Sequence, residues 1–413
     1  MSILFADFYY HILFYMKRFL QFGCWNNIQN GNAVNDVMTV MKRKIADKAK
    51  PVDFISVAGD NYYPKKSTSD AATKKKIISP DDLDKGFREL PDEPEIYMIL
   101  GNHDLETNND EEQPTLFVND KSNVEGGCDI MTLQQDSIKN ISNIHFQLFK
   151  AVLMRDDTLV LMVDTSMYED EANEYLECYN IFLREKYSLA ELRDYQEGLI
   201  MDAIDKYQRG LKNLILIGHH PIIGTKVKKG KVIKPLNDIP FFTPVLANIY
   251  EKIPDANFYY LCADLHLYQK GVVEMEMDDG IMSIEQHIVG TGGTKLDDEI
   301  PRSELNKVKT RDSVSYVMLQ GESSNGFLEC ELLGDEPEFR FHRASATELS
   351  RRRTRNTRRR EKRTRGRRRK RTRTRTRTRT RTRSRGHTAK SLTRAKTRVK
   401  SKSKSRSRRL ITV

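Results

Sequence analysis

The sequence predicts an α/β protein. Three observations carry this reading: short apolar runs alternate with segments of helical periodicity, four of the runs end in polar clusters of metal-ligand type, and 413 residues suffice for the core of one large domain or two smaller ones. Residues 17–23 read as a first strand. Residues 33–48 read as a helix, because Val34, Val37, Met38, Met41 and Ile45 recur at i, i+3, i+4 spacing. A second strand at 53–58 follows, Pro80-Asp81-Asp82 opens a short helix, and 95–100 is a third strand. Further on, 143–153 and 158–163 read as strands, and 189–207 as a long helix with Leu192, Tyr195, Leu199, Ile200, Ala203, Ile204 and Tyr207 on one face. Residues 213–217 are a buried strand, 243–253 a helix and 257–262 a strand. A β-rich close follows at 271–277, 282–289, 313–319, 326–333 and 338–342, with turn signals between. Polar insertions at 65–79 and 106–127 each come directly after a site motif; they read as cleft-lining loops or as solvated excursions.

Net charge divides the chain in two. Of 70 Lys and Arg and 58 Asp and Glu, 32 basic residues and one acid fall in 351–413, which leaves 38 against 57 in 1–350. The body is therefore at −19 and the tail at +31, so the overall pI describes the tail rather than the body. The tail, with its strict Arg-Thr alternation at 371–383, has almost no apolar residues and is expected to be disordered. A flexible polycation suits a nucleic-acid backbone or an acidic partner, a nuclear import signal, or a phosphorylation switch. Absence of aromatic residues from it argues against base stacking. The expected domains are an N-terminal extension at 1–15, a folded domain at 16–345 and the tail at 346–413.

Cys24, Cys128, Cys178, Cys262 and Cys330 are odd in number and lack CxxC spacing. This predicts a reducing compartment with no disulfide framework, hence an intracellular and even nuclear protein. The sequon Asn140-Ile141-Ser142 is the one sign of a secreted alternative. Residues 3–15 are apolar but broken by Asp7 and His11 and too short for a span. They read as an extension or an interfacial anchor.

The chemistry is concentrated in four runs, each closing a strand-like segment: Gly59-Asp60-Asn61-Tyr62-Tyr63, Gly101-Asn102-His103-Asp104, Gly218-His219-His220-Pro221 and Asp264-Leu265-His266. Carboxylate, amide and imidazole groups delivered from successive strand ends are what two adjacent metal ions need in order to hold a phosphate and activate water. Asp60 emerges at a strand tip, where a bridging ligand or a plain turn residue would sit. Tyr63 reads as a phenolate ligand or as a core aromatic. Asn102 offers an amide oxygen, His103 an imidazole for acid catalysis, and Asp104 a carboxylate to orient it. Successive side chains on a strand point opposite ways, so His219 is the expected ligand of its pair, and His220 joins His103 and Asp104 in the catalytic set. Asp264 and His266, two apart, share a face.

These strings resemble the calcineurin-like metallophosphoesterases over about 17–345. Gly-Asp-Asn-Tyr-Tyr places the likeness nearest the small purple, tartrate-resistant type acid phosphatases, and Asp164-Thr165 and Gly290-Thr291-Gly292-Gly293 resemble landmarks of that group that carry no ligand. The resemblance implies a four-layer α/β/β/α sandwich and a phosphomonoesterase that uses a hydroxide held by two metal ions. Asp60 would bridge the ions, Tyr63 and His266 would complete an iron-like site, and Asn102, His219 and Asp264 a second one. His103 would protonate the leaving group. Two positions depart from the family pattern. Cys24 stands where an aspartate is usual, and Asp264 where an imidazole is usual. With Cys24 ionised the ligand set gains one negative charge, which damps Lewis acidity; a thiolate also favours iron or zinc over magnesium or manganese. The metals implied are Fe, Zn or Mn. Two alternatives stand beside the phosphomonoesterase: a catalytically impaired binding protein that works through its basic tail, and a diesterase drawn to nucleic acid.

Overall fold

Two large β-sheets packed face to face organise the chain in the computed structural model, which describes residues 17–27, 33–63, 65–66, 76–78, 80–105, 116–117, 128–232, 239–278, 280–311 and 313–344. The first is built from β1 (Arg18–Phe22), β2 (Phe54–Ala58), β3 (Glu95–Ile99) and β4 (Ile144–Phe146). The second contains β5 (Phe149–Met154), β6 (Thr158–Val163), β7 (Asn213–Ile217), β8 (Asn257–Cys262), β9 (Tyr268–Met277), β10 (Gly280–Val289), β11 (Val308–Arg311) and β12 (Val314–Glu322). The chain then returns to the first sheet with β13 (Gly326–Glu331) and β14 (Glu338–Arg343). Strand order is β14-β13-β1-β2-β3-β4 in one sheet and β11-β12-β9-β10-β8-β7-β6-β5 in the other. β1 to β4 run parallel, as do β6, β7, β8 and β10.

The central strands are buried and mostly apolar because both their faces are covered, with Gln21 and Ser56 as buried polar exceptions. Along β7, Leu214 and Leu216 face a helix layer while Ile215 and Ile217 face the other sheet. Along β2, Ile55 and Val57 face helices while Phe54 and Ala58 point into the space between the sheets. Helix α1 (Ala33–Ile45), α2 (Pro80–Phe87), the short α3 (Asn102–Leu105) and α4 (Asp129–Ile138) come from the first half of the chain. α5 (Leu176–Leu183), α6 (Leu189–Tyr207) and α7 (Thr243–Lys252) supply the layer on the second sheet. The expected α/β/β/α arrangement is therefore present. A capping box starts α6: Ser188 accepts from the Glu191 backbone N–H, and Glu191 accepts from that of Ser188. No helix among the described residues is long and apolar enough to cross a membrane.

Several expectations are corrected. The strand expected at 143–153 is two strands in different sheets, because the chain crosses between layers at Gln147 and Leu148. Apolar content continues through the crossing, so hydropathy alone cannot mark it. On α6, Tyr195 is half exposed and Gln196 is buried instead, its amide donating to the Leu148 carbonyl at 3.0 Å. Helices α4 and α5 and edge strand β11 were not legible, and the insertions contribute Lys65–Lys66, Lys76–Ile78 and Leu116–Phe117 to a small sheet. The expectation of no disulfide fails: Cys128 at the start of α4 is bonded to Cys178 in α5. Fifty residues separate the two in sequence, and only the fold brings their Cα atoms to 5.4 Å. The extension at 1–15 and the tail from 346 lie outside the described residues.

Cys24, Cys262 and Cys330 are buried free thiols. Thiol titration of the denatured, unreduced chain is expected to find three reactive groups; five would contradict the bridge. Replacing both Cys128 and Cys178 by Ser should lower unfolding stability by about 2–4 kcal/mol, read from denaturant curves.

Candidate metal centre

Parallel register lines up the ends of the strands. Val57 pairs with Phe22 and with Met98, so the turns after β1, β2 and β3 emerge together; Ile217 pairs with Leu261, which aligns the turns after β7 and β8. The carboxyl ends of both sheets thus meet at one edge of the sandwich, where open α/β sheets bind ligands. Cys24, Asp60 and Asp264 all have left-handed backbones, with φ of 50°, 53° and 52°, so each strand ends in a sharp turn that aims its side chain back into the gap. Two glycines make the crowding feasible. A Cβ at Gly59 (φ 78°) would lie 2.6 Å from His219 Nδ1, and one at Gly101 would lie 2.5 Å from Asp60 Oδ1.

Asp60, buried, is the hub. Its Oδ2 accepts from the Tyr63 hydroxyl at 2.5 Å and from the Cys24 thiol at 3.7 Å, and its Oδ1 accepts from the His103 backbone N–H at 3.2 Å. Tyr63 Oη also lies 3.1 Å from His266 Nε2, and donor atoms of Cys24, Asp60 and His266 fall within 4.8 Å of one another. On the other side, His219 Nε2 lies 3.3 Å from Asp60 Oδ1 and 3.2 Å from Asn102 Oδ1. Donor atoms of His219, His220 and Asp264 form a second group within 4.8 Å. All seven residues expected as ligands are therefore gathered in one place.

The catalytic candidates are held differently. Asp104 accepts from the Asn61 backbone (2.8 Å) and side chain (2.9 Å), from the Gly101 N–H (2.9 Å) and from the Gln134 amide (2.7 Å). Those four bonds fill the acceptor capacity of a carboxylate, so Asp104 fastens the loop that carries Asn102 and His103 rather than orienting the imidazole. Burial, with the Asp60 charge beside it, pushes its carboxyl up to about 6. The His103 ring packs 5.1 Å from the Tyr63 ring.

Thr165 belongs to the Asp164-Thr165 landmark, which was expected to carry no ligand; Glu169 and Asp297 were not singled out from sequence, since neither belongs to a ligand-type run. Thr165 Oγ1 accepts the backbone N–H groups of His219 (2.9 Å) and His220 (3.0 Å) and lies 3.2 Å from His220 Nδ1. With both lone pairs used, its hydrogen goes to Nδ1, which leaves the His220 proton on Nε2. That atom sits 2.7 Å from Glu169 Oε1, although the pair is not aligned as a hydrogen bond. Burial drives His220 down to about 3, with the neighbouring His219 adding to it, and drives Glu169 up to about 8, so the imidazole is neutral. Asp297 accepts from the His266 backbone N–H at 3.0 Å.

His219 Nδ1 donates to the Ala58 carbonyl at 2.6 Å and His266 Nδ1 to the Lys295 carbonyl at 3.0 Å, so each ring turns Nε2 toward the site. Burial opposes protonation of His219, but the Asp60 and Asp264 charges outweigh it and raise that ring, so a metal would have to displace its proton; burial lowers His266. Nε2 of His219 faces the oxygens of Asn102 and Asp60, and the lone pair of the His266 Nε2 meets Tyr63 Oη, whose one hydrogen is given to Asp60. Backbone-anchored Nδ1 groups with converging Nε2 atoms are the usual dress of metal-binding imidazoles. The donor set therefore fits two cations, one at each meeting point. Burial raises Asp60, yet the imidazoles of His219, His103 and His266 and the Tyr63 hydroxyl outweigh it and keep the carboxyl ionised. Burial and the Asp60 charge hold both the Cys24 thiol and the Tyr63 phenol well above their usual range, so a metal would have to displace both protons.

With this geometry the class is a phosphoesterase-type metal centre, and the comparisons agree. The family model for calcineurin-like phosphoesterases matches residues 17–268, and the chain belongs to that family. No curated protein sequence matches it. Similar solved structures include one titled GAP50, the anchor in the inner membrane complex of Plasmodium, at 12% identity and TM-score 0.42, covering 80% of this chain and 85% of that one. A structure of PhoD is similar at 11% identity and TM-score 0.43, covering 79% and 68%.

Asp164, beneath the centre, accepts from the Ser166 N–H and the Tyr179 hydroxyl through Oδ1, while Oδ2 is buried without a partner; burial raises its carboxyl to about 7. A raised carboxyl contributes stability below its unfolded value and loses it as pH rises through the folded one. The Asp164 contribution should therefore be lost between about pH 4 and pH 7. Asp164→Asn should reduce that loss, with a gain of roughly 1–3 kcal/mol at neutral pH in unfolding curves; an unchanged pH profile would contradict it.

Proposed function

We propose that the chain hydrolyses phosphate monoesters in the manner of an acid phosphatase, using two metal ions held by its strand-end residues. Cys24, Asp60, Tyr63 and His266 hold one ion; Asp60, Asn102, His219 and Asp264 hold the other. The observation that carries this is the pair of meeting points where backbone-anchored imidazoles turn Nε2 toward phenol, amide and carboxylate oxygens. When bound, the ions supply Lewis acidity toward a phosphate oxygen and lower the pKa of water.

The remaining residues position and protonate. His103 follows Asn102 on a loop tied to Asp60 through its own backbone N–H, and its ring packs 5.1 Å from that of Tyr63; it gives a proton to the leaving oxygen. Asp104 and Gln134 lock that loop. His220, neutral and held by Thr165, keeps the His219 turn in place. The thiol of Cys24 and the phenol of Tyr63 suit iron or zinc more than manganese.

Reconstitution with iron, zinc or manganese and turnover of an aryl phosphate tests this reading. His103→Ala should lower kcat by roughly a hundredfold or more while metal content stays the same. A wild-type rate no higher than that of the His103→Ala variant would sink the hydrolase. Iron(III) in the Tyr63 site should also give a visible phenolate charge-transfer band that Tyr63→Phe removes.

A further inference from the structure

Beside the centre, the segment Gly224-Thr225-Lys226-Val227-Lys228-Lys229-Gly230-Lys231-Val232 places four lysines within six residues, on a body whose net charge is −19 over residues 1–350. It forms a hairpin: Val227–Lys228 pairs antiparallel with Lys231–Val232, and Lys229 (φ 53°) and Gly230 (φ 70°) make the two-residue turn. The register sets Lys228 directly opposite Lys231. Like charges across a strand pair are destabilising, so a bound anion would relieve the arrangement. Lys228, Lys229 and Lys231 are exposed and make no ion pair among the described residues.

The hairpin is moored to the site. Val227 is buried, and the Gly230 N–H donates to Asp298 Oδ2 at 3.3 Å. Lys226 Nζ lies 3.9 Å from Asp297 Oδ1, and the other oxygen of Asp297 accepts from the His266 backbone at 3.0 Å. One aspartate therefore links the cationic hairpin to an expected metal ligand.

We propose that this hairpin is a second anion subsite, and that the preferred substrates are phosphate esters bearing at least one further anionic group. Resting on the phosphoesterase reading, it narrows the substrate class: the scissile phosphate sits at the metal pair and the second anion lies across the Lys228–Lys231 rung. Set on a body of net negative charge, these local cations would supply the selectivity.

The full-length chain is compared with a variant carrying Lys228→Gln, Lys229→Gln and Lys231→Gln. Three substrates are used: an aryl monophosphate, a hexose bisphosphate and a phosphoserine peptide flanked by aspartates. KM for at least one polyanionic ester should rise roughly fivefold to twentyfold with kcat unchanged, while the aryl phosphate is unaffected. Which of the two responds tells a small-molecule source from a peptide source. An equal change on all three, or none on any, overturns the proposal. A readout independent of turnover is acylation of Lys228, Lys229 and Lys231 followed by mass spectrometry. Protection by the polyanionic esters and not by the aryl phosphate supports the subsite even in a chain without phosphatase activity; unchanged acylation overturns it even in an active one. The basic tail is common to both proteins and cancels in the comparison.

Discussion

Asp60 is the constraint on which the rest depends. It ends β2 in a left-handed turn, is buried, and takes the hydroxyl of Tyr63, the thiol of Cys24 and the backbone N–H of His103 while facing the imidazole of His219. A buried carboxylate is costly unless cations or hydrogen bonds compensate it. Four segments from both sheets meet to provide that compensation, which couples the closing of the sandwich edge to the assembly of the centre. The glycines at 59 and 101 follow from the same demand, since a side chain at either would meet the His219 ring.

In the proposed metal centre, with Cys24 ionised, the ligand set around this hub would carry one more negative charge than the family pattern. Cys24 and Asp264 both turn into the site from left-handed positions, and the Sγ of Cys24 lies beside Asp60. A thiolate together with an extra carboxylate binds a soft or trivalent ion firmly and weakens its pull on a phosphate oxygen. Thr165 opposes looseness from the other side, holding the backbones of His219 and His220 with one hydroxyl.

Much of this was legible in the sequence, for physical reasons. Strands covered on both faces are mostly apolar, so β2, β3, β7 and β8 were readable as runs, and the ligand residues were readable because each follows such a run directly. The boundary between β4 and β5 was not, because a chain that crosses between two cores stays apolar while it does so. Tyr195 and Gln196 exchanged places on α6 because the amide of Gln196 finds the Leu148 carbonyl, a partner distant in sequence. The same limit hid the Cys128–Cys178 bridge, Glu169 beside His220 and Asp297 behind His266. Asp104 was expected to orient an imidazole, yet its four bonds go to Asn61, Gly101 and Gln134, contacts that only the folded loop creates.

If Asp60 joins two cation positions into one centre, both ions should depend on it. Metal analysis of the reconstituted wild-type chain and of Asp60→Asn, under identical dialysis, measures this directly. Two ions per chain in the wild type, with both lost in the variant, is the predicted result; a variant that keeps both ions, or a wild type that binds none, would contradict it.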